Sequence, residues 1–161
     1  MLLLNVIALA YYRNTTAVFV FLGACICAAT AKVLKRIVRQ ERPRHSSSSS
    51  RHRQRSFGMP SAHSASVAYF ATLLSALARD AGSSGSVSGV YVLAATVILG
   101  AAGLAAAMYR VHGGHHTLPQ VAAGGCLGWA VASAWWASRG LVIPQMDIVA
   151  GRVLGGWIGN A

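Results

Sequence analysis

Four stretches of the chain hold apolar residues over about the 20 positions that a membrane-crossing helix needs, with polar clusters between them. Thr15 to Leu34 is apolar until Lys32, and Asn14 and Thr15 stand before it as candidate helix caps. Pro60 to Ala78 is moderately apolar and opens on a proline, which suits a first helical turn. Val87 to Met108 and Pro119 to Ala137 are rich in Ala, Gly and branched aliphatics. None alternates apolar and polar residues as a strand would, so the pattern predicts an all-α fold, a polytopic membrane bundle of about four transmembrane helices.

Polar residues fill the gaps. A long loop, about Arg36 to Met59, carries the serine run Ser46 to Ser50 between Arg44, His45, Arg51, His52, Arg53 and Arg55; residues 44–56 are expected to be a flexible Ser/Arg-rich spacer. After Arg139 the spacing of Ile148, Val149, Val153, Leu154, Trp157 and Ile158 predicts a helix lying along a membrane surface. Met1 to Tyr12 is apolar but lacks the basic leader of a secretory signal and is too short to span, so an interfacial segment, a retained anchor or the remnant of a longer helix is expected there.

Counting crossings adds a test that needs no motif. If the first helix delivers Lys35 to one face, the second leaves that face at Pro60, the third returns at Tyr109 and the fourth leaves at Pro119. Three polar clusters then share a side: Lys35 to Arg42, Pro60 to His63, and Arg110 to Gln120. A single site at a membrane face requires that segregation.

Composition agrees with a membrane setting. The 161 residues allow one domain, 1–161, and 55% hydrophobic content against 11% charged is far from the usual globular balance. The net charge of +11 sets 14 Lys/Arg against only Glu41, Asp80 and Asp147, and eight of the 14 lie between Lys35 and Arg55. Such a run suits a solvated loop, an anionic lipid surface or contact with phosphate. Cys25, Cys27 and Cys126 lie in apolar stretches with no paired spacing, and read as small buried hydrophobes rather than zinc ligands.

The clusters carry distinct chemistry. Lys35 and Arg42 stand seven positions apart, two helical turns, so both reach one anionic group if the helix continues to about Glu41. A basic juxtamembrane stop has the same appearance. In Gly58-Met59-Pro60-Ser61-Ala62-His63, free backbone N–H groups at a helix start attract an anion, Ser61 adds a hydroxyl, and His63 can give a proton to a leaving oxygen. The plain alternative is an N-cap serine beside an incidental histidine. In Tyr109 to Gln120, Arg110 is a further oxyanion ligand, and Gln120, four residues after His116, can accept from one ring nitrogen and leave the other as a nucleophile. His112, His115 and His116 are not expected to bind a metal, since no carboxylate or cysteine completes a site and the arginines would repel a cation. His112 and His115 have no assigned role.

Together these residues resemble the three motifs of the type 2 phosphatidic acid phosphatase superfamily, K-x6-R-P, P-S-G-H and S-R-x5-H-x3-D. Here they stand as Lys35 to Pro43, as Pro60 to His63 with Ala62 for Gly, and as Tyr109 to Gln120 with Tyr for Ser and Gln for Asp. Within it the chain is most similar to the dolichyldiphosphatase branch, in Gln-Glu-Arg-Pro around Arg42, Gly-Met-Pro-Ser around Ser61, and His116-Thr followed by Gln120-Val121. Relatives generally carry further membrane sequence before the first motif, so this chain is expected to be truncated or unusually short.

The resemblance implies a phosphatidic acid phosphatase/haloperoxidase-like fold and hydrolysis of dolichyl diphosphate to dolichyl phosphate. His116 would attack the terminal phosphorus and His63 would protonate the leaving lipid phosphate and later serve as base. Lys35, Arg42, Ser61, Arg110 and the backbone at Ala62 would hold the phosphate oxygens, with no cofactor. An orienting aspartate would stabilise the imidazolium more than the amide of Gln120 can. The expected partners are a polyprenyl diphosphate lipid and the membrane, with no nucleic acid.

Two rivals remain open: a relative acting on another lipid, such as phosphatidate or undecaprenyl diphosphate, and a non-catalytic protein whose basic loop binds anionic lipid or nucleic acid. Positive-inside reasoning places the Arg-rich face in the cytoplasm, whereas the resemblance places the site at the lumenal face of the endoplasmic reticulum, which is the expectation adopted. Asn14-Thr15-Thr16 is a glycosylation sequon on the opposite side, and glycan there would contradict it.

Overall fold

A computed structural model of the chain describes residues 15–40, 57–85 and 88–153, and five helices lie among them. They are α1 (Thr15–Val38), α2 (Ala62–Ser83), α3 (Gly89–His112), α4 (Leu118–Ala137) and α5 (Arg139–Val153). The four apolar stretches correspond to α1 to α4 within a few residues at each end. The tail is helical too as far as Val153, with Pro144 inside α5; Leu154, Trp157 and Ile158 lie outside the described residues, as do Met1 to Tyr12, Asn14 and the 44–56 spacer.

α1 and α3, each 24 residues, are the two described helices long and apolar enough to cross a membrane. At about 1.5 Å per residue they exceed the ~30 Å hydrocarbon thickness. α2 and α4 fall short of that standard, so four crossings are not established by composition: α2 carries Ser64, Ser66, Ser75, Arg79 and Asp80, and α4 carries Gln120 and several glycines.

One expectation for α1 is corrected. The helix ends at Val38 rather than near Glu41, because Arg39 turns to the left-handed region at φ 49°. The two-turn spacing of Lys35 and Arg42 therefore does not act along a helix, and Arg42 itself lies outside the described residues. Thr15, offered as a cap, sits in the first turn of α1 and donates its hydroxyl to Asp147 of α5.

α2 occupies the centre, packed on α4, α3 and α1. Its contact with α4 is backbone to backbone, made possible by two glycines one turn apart: a Cβ at Gly124 would strike the carbonyl of Ser61, and one at Gly128 the carbonyl of Ala65. Phe19, Cys27 and Ala31 of α1 meet Ala65, Tyr69 and Leu73 of α2 and Ala132 of α4 in the core. Two aromatics anchor α1 with polar tips: buried Tyr69 donates its hydroxyl to the Val20 carbonyl at 3.0 Å, and half-buried Trp135, stacked on Phe19 at 4.9 Å, donates Nε1 to the Phe19 carbonyl at 2.9 Å. No residue of α3 is fully buried, and Val90, Leu93, Ile98 and Leu104 on it are exposed.

The two ends of the bundle differ. At one, Thr15 joins Asp147, and Asp80 pairs with Arg139 at 3.7 Å while the same guanidinium lies 4.2 Å from the Trp136 ring centre. At the other, the exit of α1, the entry of α2, the α3–α4 turn and the entry of α4 converge.

Candidate active site

The α4 entry supplies the centre of the site. Thr117 is the N-cap, with Pro119 in the first turn, where its missing N–H costs nothing. Gln120 is therefore the third helical residue, and its side chain folds back over the helix start: Oε1 accepts from the Thr117 N–H at 3.3 Å. The same oxygen lies 3.1 Å from His116 Nδ1. A carboxamide oxygen can only accept, so this contact requires a proton on Nδ1, and in the neutral ring the lone pair is then on Nε2.

His116 is 5% exposed and Gln120 1% exposed. The turn holding His116 is pinned to α3, since the N–H groups of His115 and His116 both donate to the Arg110 carbonyl, at 3.1 and 3.2 Å. That places Arg110 directly beside the imidazole's own backbone.

Ser61, fully buried, is the N-cap of α2. Its N–H donates to the Gln120 carbonyl at 3.0 Å, tying the two helix starts together. Its Oγ accepts from the Ser64 N–H at 3.4 Å and from the Ser64 hydroxyl at 3.0 Å. Capping and phosphate binding are thus compatible for Ser61, because accepting these bonds does not use its own hydroxyl proton. Ala62 opens α2 and His63 follows in its first turn, exposed, with the Arg110 charge near enough to act on the imidazole.

Lys35 is half-buried in the last turn of α1. The chain then passes through Gln40, which binds the site twice. Its carbonyl accepts from the Gly58 N–H at 2.7 Å, and its side-chain Oε1 accepts from Gln120 Nε2 at 3.2 Å. Gly58 sits against the Gln120 amide so closely that a Cβ would lie 2.6 Å from Nε2.

Of the residues singled out in the sequence, Ser61, Ala62, His63, Arg110, His116 and Gln120 are brought together, Lys35 stands at the same end, and Arg42 is outside the described residues. His115 packs edge-on against Tyr109 at 6.1 Å, and His112 is exposed at the end of α3. No cluster of three metal-ligating side chains occurs among the described residues. Gln40 and Ser64 were given no role by sequence reasoning, and Thr117 only a place at the start of the helix. Ser64 and Thr117 carry weak signals, a hydroxyl three residues after a cap and a hydroxyl before Pro, but the partner of Gln40 is 80 residues away and nothing local announces it.

A buried histidine held by a helix-start side chain, among cations and backbone N–H groups, suits attack on an oxyanion. The family model described as PAP2 superfamily matches residues 16–143. The chain belongs to the PAP2 superfamily. No curated protein and no solved structure matches it. The PAP2 match runs from the first turn of α1 into α5 and includes all three clusters, and membership makes the chain a membrane-associated phosphatase of that superfamily's general type.

Proposed function

We propose that the protein hydrolyses a polyprenyl diphosphate, dolichyl diphosphate, to the monophosphate through a phosphohistidine on His116. The observation that carries this reading is the 3.1 Å contact of His116 Nδ1 with Gln120 Oε1, which leaves Nε2 as the nucleophilic nitrogen.

Nε2 attacks the terminal phosphorus and the bond to the bridging oxygen breaks. The lipid phosphate leaves with a proton from His63. Water, deprotonated by the same His63, then displaces His116 from phosphorus and releases inorganic phosphate. Lys35, Arg42, Arg110, the Ser61 hydroxyl and the N–H groups at the start of α2 hold the phosphoryl oxygens as charge shifts among them. The whole chain acts as one membrane domain of about four crossings, with the 44–56 loop as a spacer.

Support for a dolichyl substrate comes from the Met59-Pro60-Ser61 wording and from glutamine at position 120. The site then faces the lumen of the endoplasmic reticulum, where the product returns to the carrier pool for protein glycosylation. Purified protein in detergent is offered dolichyl diphosphate, undecaprenyl diphosphate and phosphatidate in parallel. Preferred turnover of dolichyl diphosphate, with acid-labile phosphate trapped on His116, is the expected result. Preference for phosphatidate would reassign the substrate, and hydrolysis surviving in His116→Ala would overturn the mechanism.

A further inference from the structure

An aspartate has two equivalent oxygens, so either can accept from an imidazole N–H. Glutamine does not share that symmetry. Turned by 180° about its last torsion, Gln120 would present Nε2 to His116 Nδ1, draw the ring proton to Nε2, and remove the lone pair needed for attack. A site with glutamine here needs something that selects one face of the amide.

Among the described residues, two contacts favour that selection. The Thr117 N–H can only donate, so it favours Oε1 on its side, but at 3.3 Å the bond is long. On the other side Gln120 Nε2 is 3.2 Å from Gln40 Oε1. The backbone of Gln40 is held by its carbonyl's bond from Gly58, which joins the two flanks of the basic loop.

We infer that Gln40 is a positioning residue for the nucleophile, acting through Gln120 to hold His116 in the Nδ1-protonated tautomer. The inference rests on the proposed role of His116. Its chemical requirement is an acceptor at position 40, and neither charge nor bulk there serves in its place.

Three variants of the chain separate these possibilities. Gln40→Glu keeps acceptors and loses the donor, Gln40→Lys keeps polarity and offers only donors, and Gln40→Leu offers neither. Each is read by kcat and KM on dolichyl diphosphate and by the imidazole nitrogen shifts of His116 in ¹⁵N-histidine-labelled protein in micelles, assigned by their loss in His116→Ala.

Wild type and Gln40→Glu are expected to show protonated Nδ1 and unprotonated Nε2. Gln40→Lys and Gln40→Leu should show a tautomer mixture, with kcat down roughly tenfold and KM little changed, as for loss of a group that orients a reacting ligand. Wild-type nitrogen shifts in Gln40→Leu, or equal losses in all three variants, would overturn the inference. A wild type that shows the tautomer but hydrolyses none of the lipids would instead overturn the proposed reaction, leaving the role of Gln40 in the tautomer standing.

Discussion

The two ends of the bundle hold similar kinds of polar residue and use them differently. At the end with Asp80, Arg139, Thr15 and Asp147, the ion pair is exposed, 41% and 58% at its side chains, and water competes for every charge. At the end with Ser61, His116 and Gln120 the polar groups are buried and linked to one another, and Ser61 and Gln120 are also bonded to partners far away in sequence. The same contact geometry carries more consequence where water cannot replace it. The exposed end fastens helices that already pack, while the buried end depends on each partner being present.

Substitutions can break that contrast, and the largest effect is expected at the buried end. His116→Ala should lower lipid-diphosphate hydrolysis by roughly 10³-fold or more while thermal unfolding of the purified protein moves little, since a nucleophile is lost from a site that keeps its shape. Gln120→Ala comes next. It removes the imidazole's acceptor and leaves the Thr117 N–H without its side-chain partner, and should cost about 10²-fold in kcat together with about 1–3 kcal/mol of stability. A normal kcat in that variant would mean the glutamine does not orient the ring.

Gly124→Ala sharpens the comparison through backbone packing. Its Cβ would push α4 away from the Ser61 carbonyl, and a loss of about 1–3 kcal/mol in denaturant unfolding is expected, with activity falling because Ser61 and Gln120 are then misaligned. The smallest effect belongs to the exposed end. Asp80→Asn should change stability by less than about 1 kcal/mol and leave turnover unchanged, the ordinary result for a solvent-screened pair. A large effect of Asp80→Asn on turnover would dissolve the distinction between the ends.

Much of this is legible in the sequence. The apolar stretches are long and separated by polar clusters, so α1 to α4 could be placed from pattern even though α2 carries several serines. His116 and Gln120 stand four apart at a helix start, which put their contact within reach of local geometry. Ser61 and His63 were visible for the same reason. The end of α1 was misjudged because nothing about Arg39 marks it for a left-handed turn; glycine would have. Gln40 was invisible because its bonds to Gly58 and Gln120 close only after three helices have packed.

The sequence by itself determined the helical class, the three polar clusters and, through their match to the PAP2 superfamily, the general kind of chemistry. Periodicity, capping and motif spacing act over one or two helical turns, and such information is carried in neighbouring residues. Tertiary structure decided which amide face Gln120 turns to His116, how Ser61 reaches the Gln120 carbonyl, and how closely α2 and α4 approach at Gly124 and Gly128. Those depend on backbone groups of distant segments, whose positions are set only when helices pack.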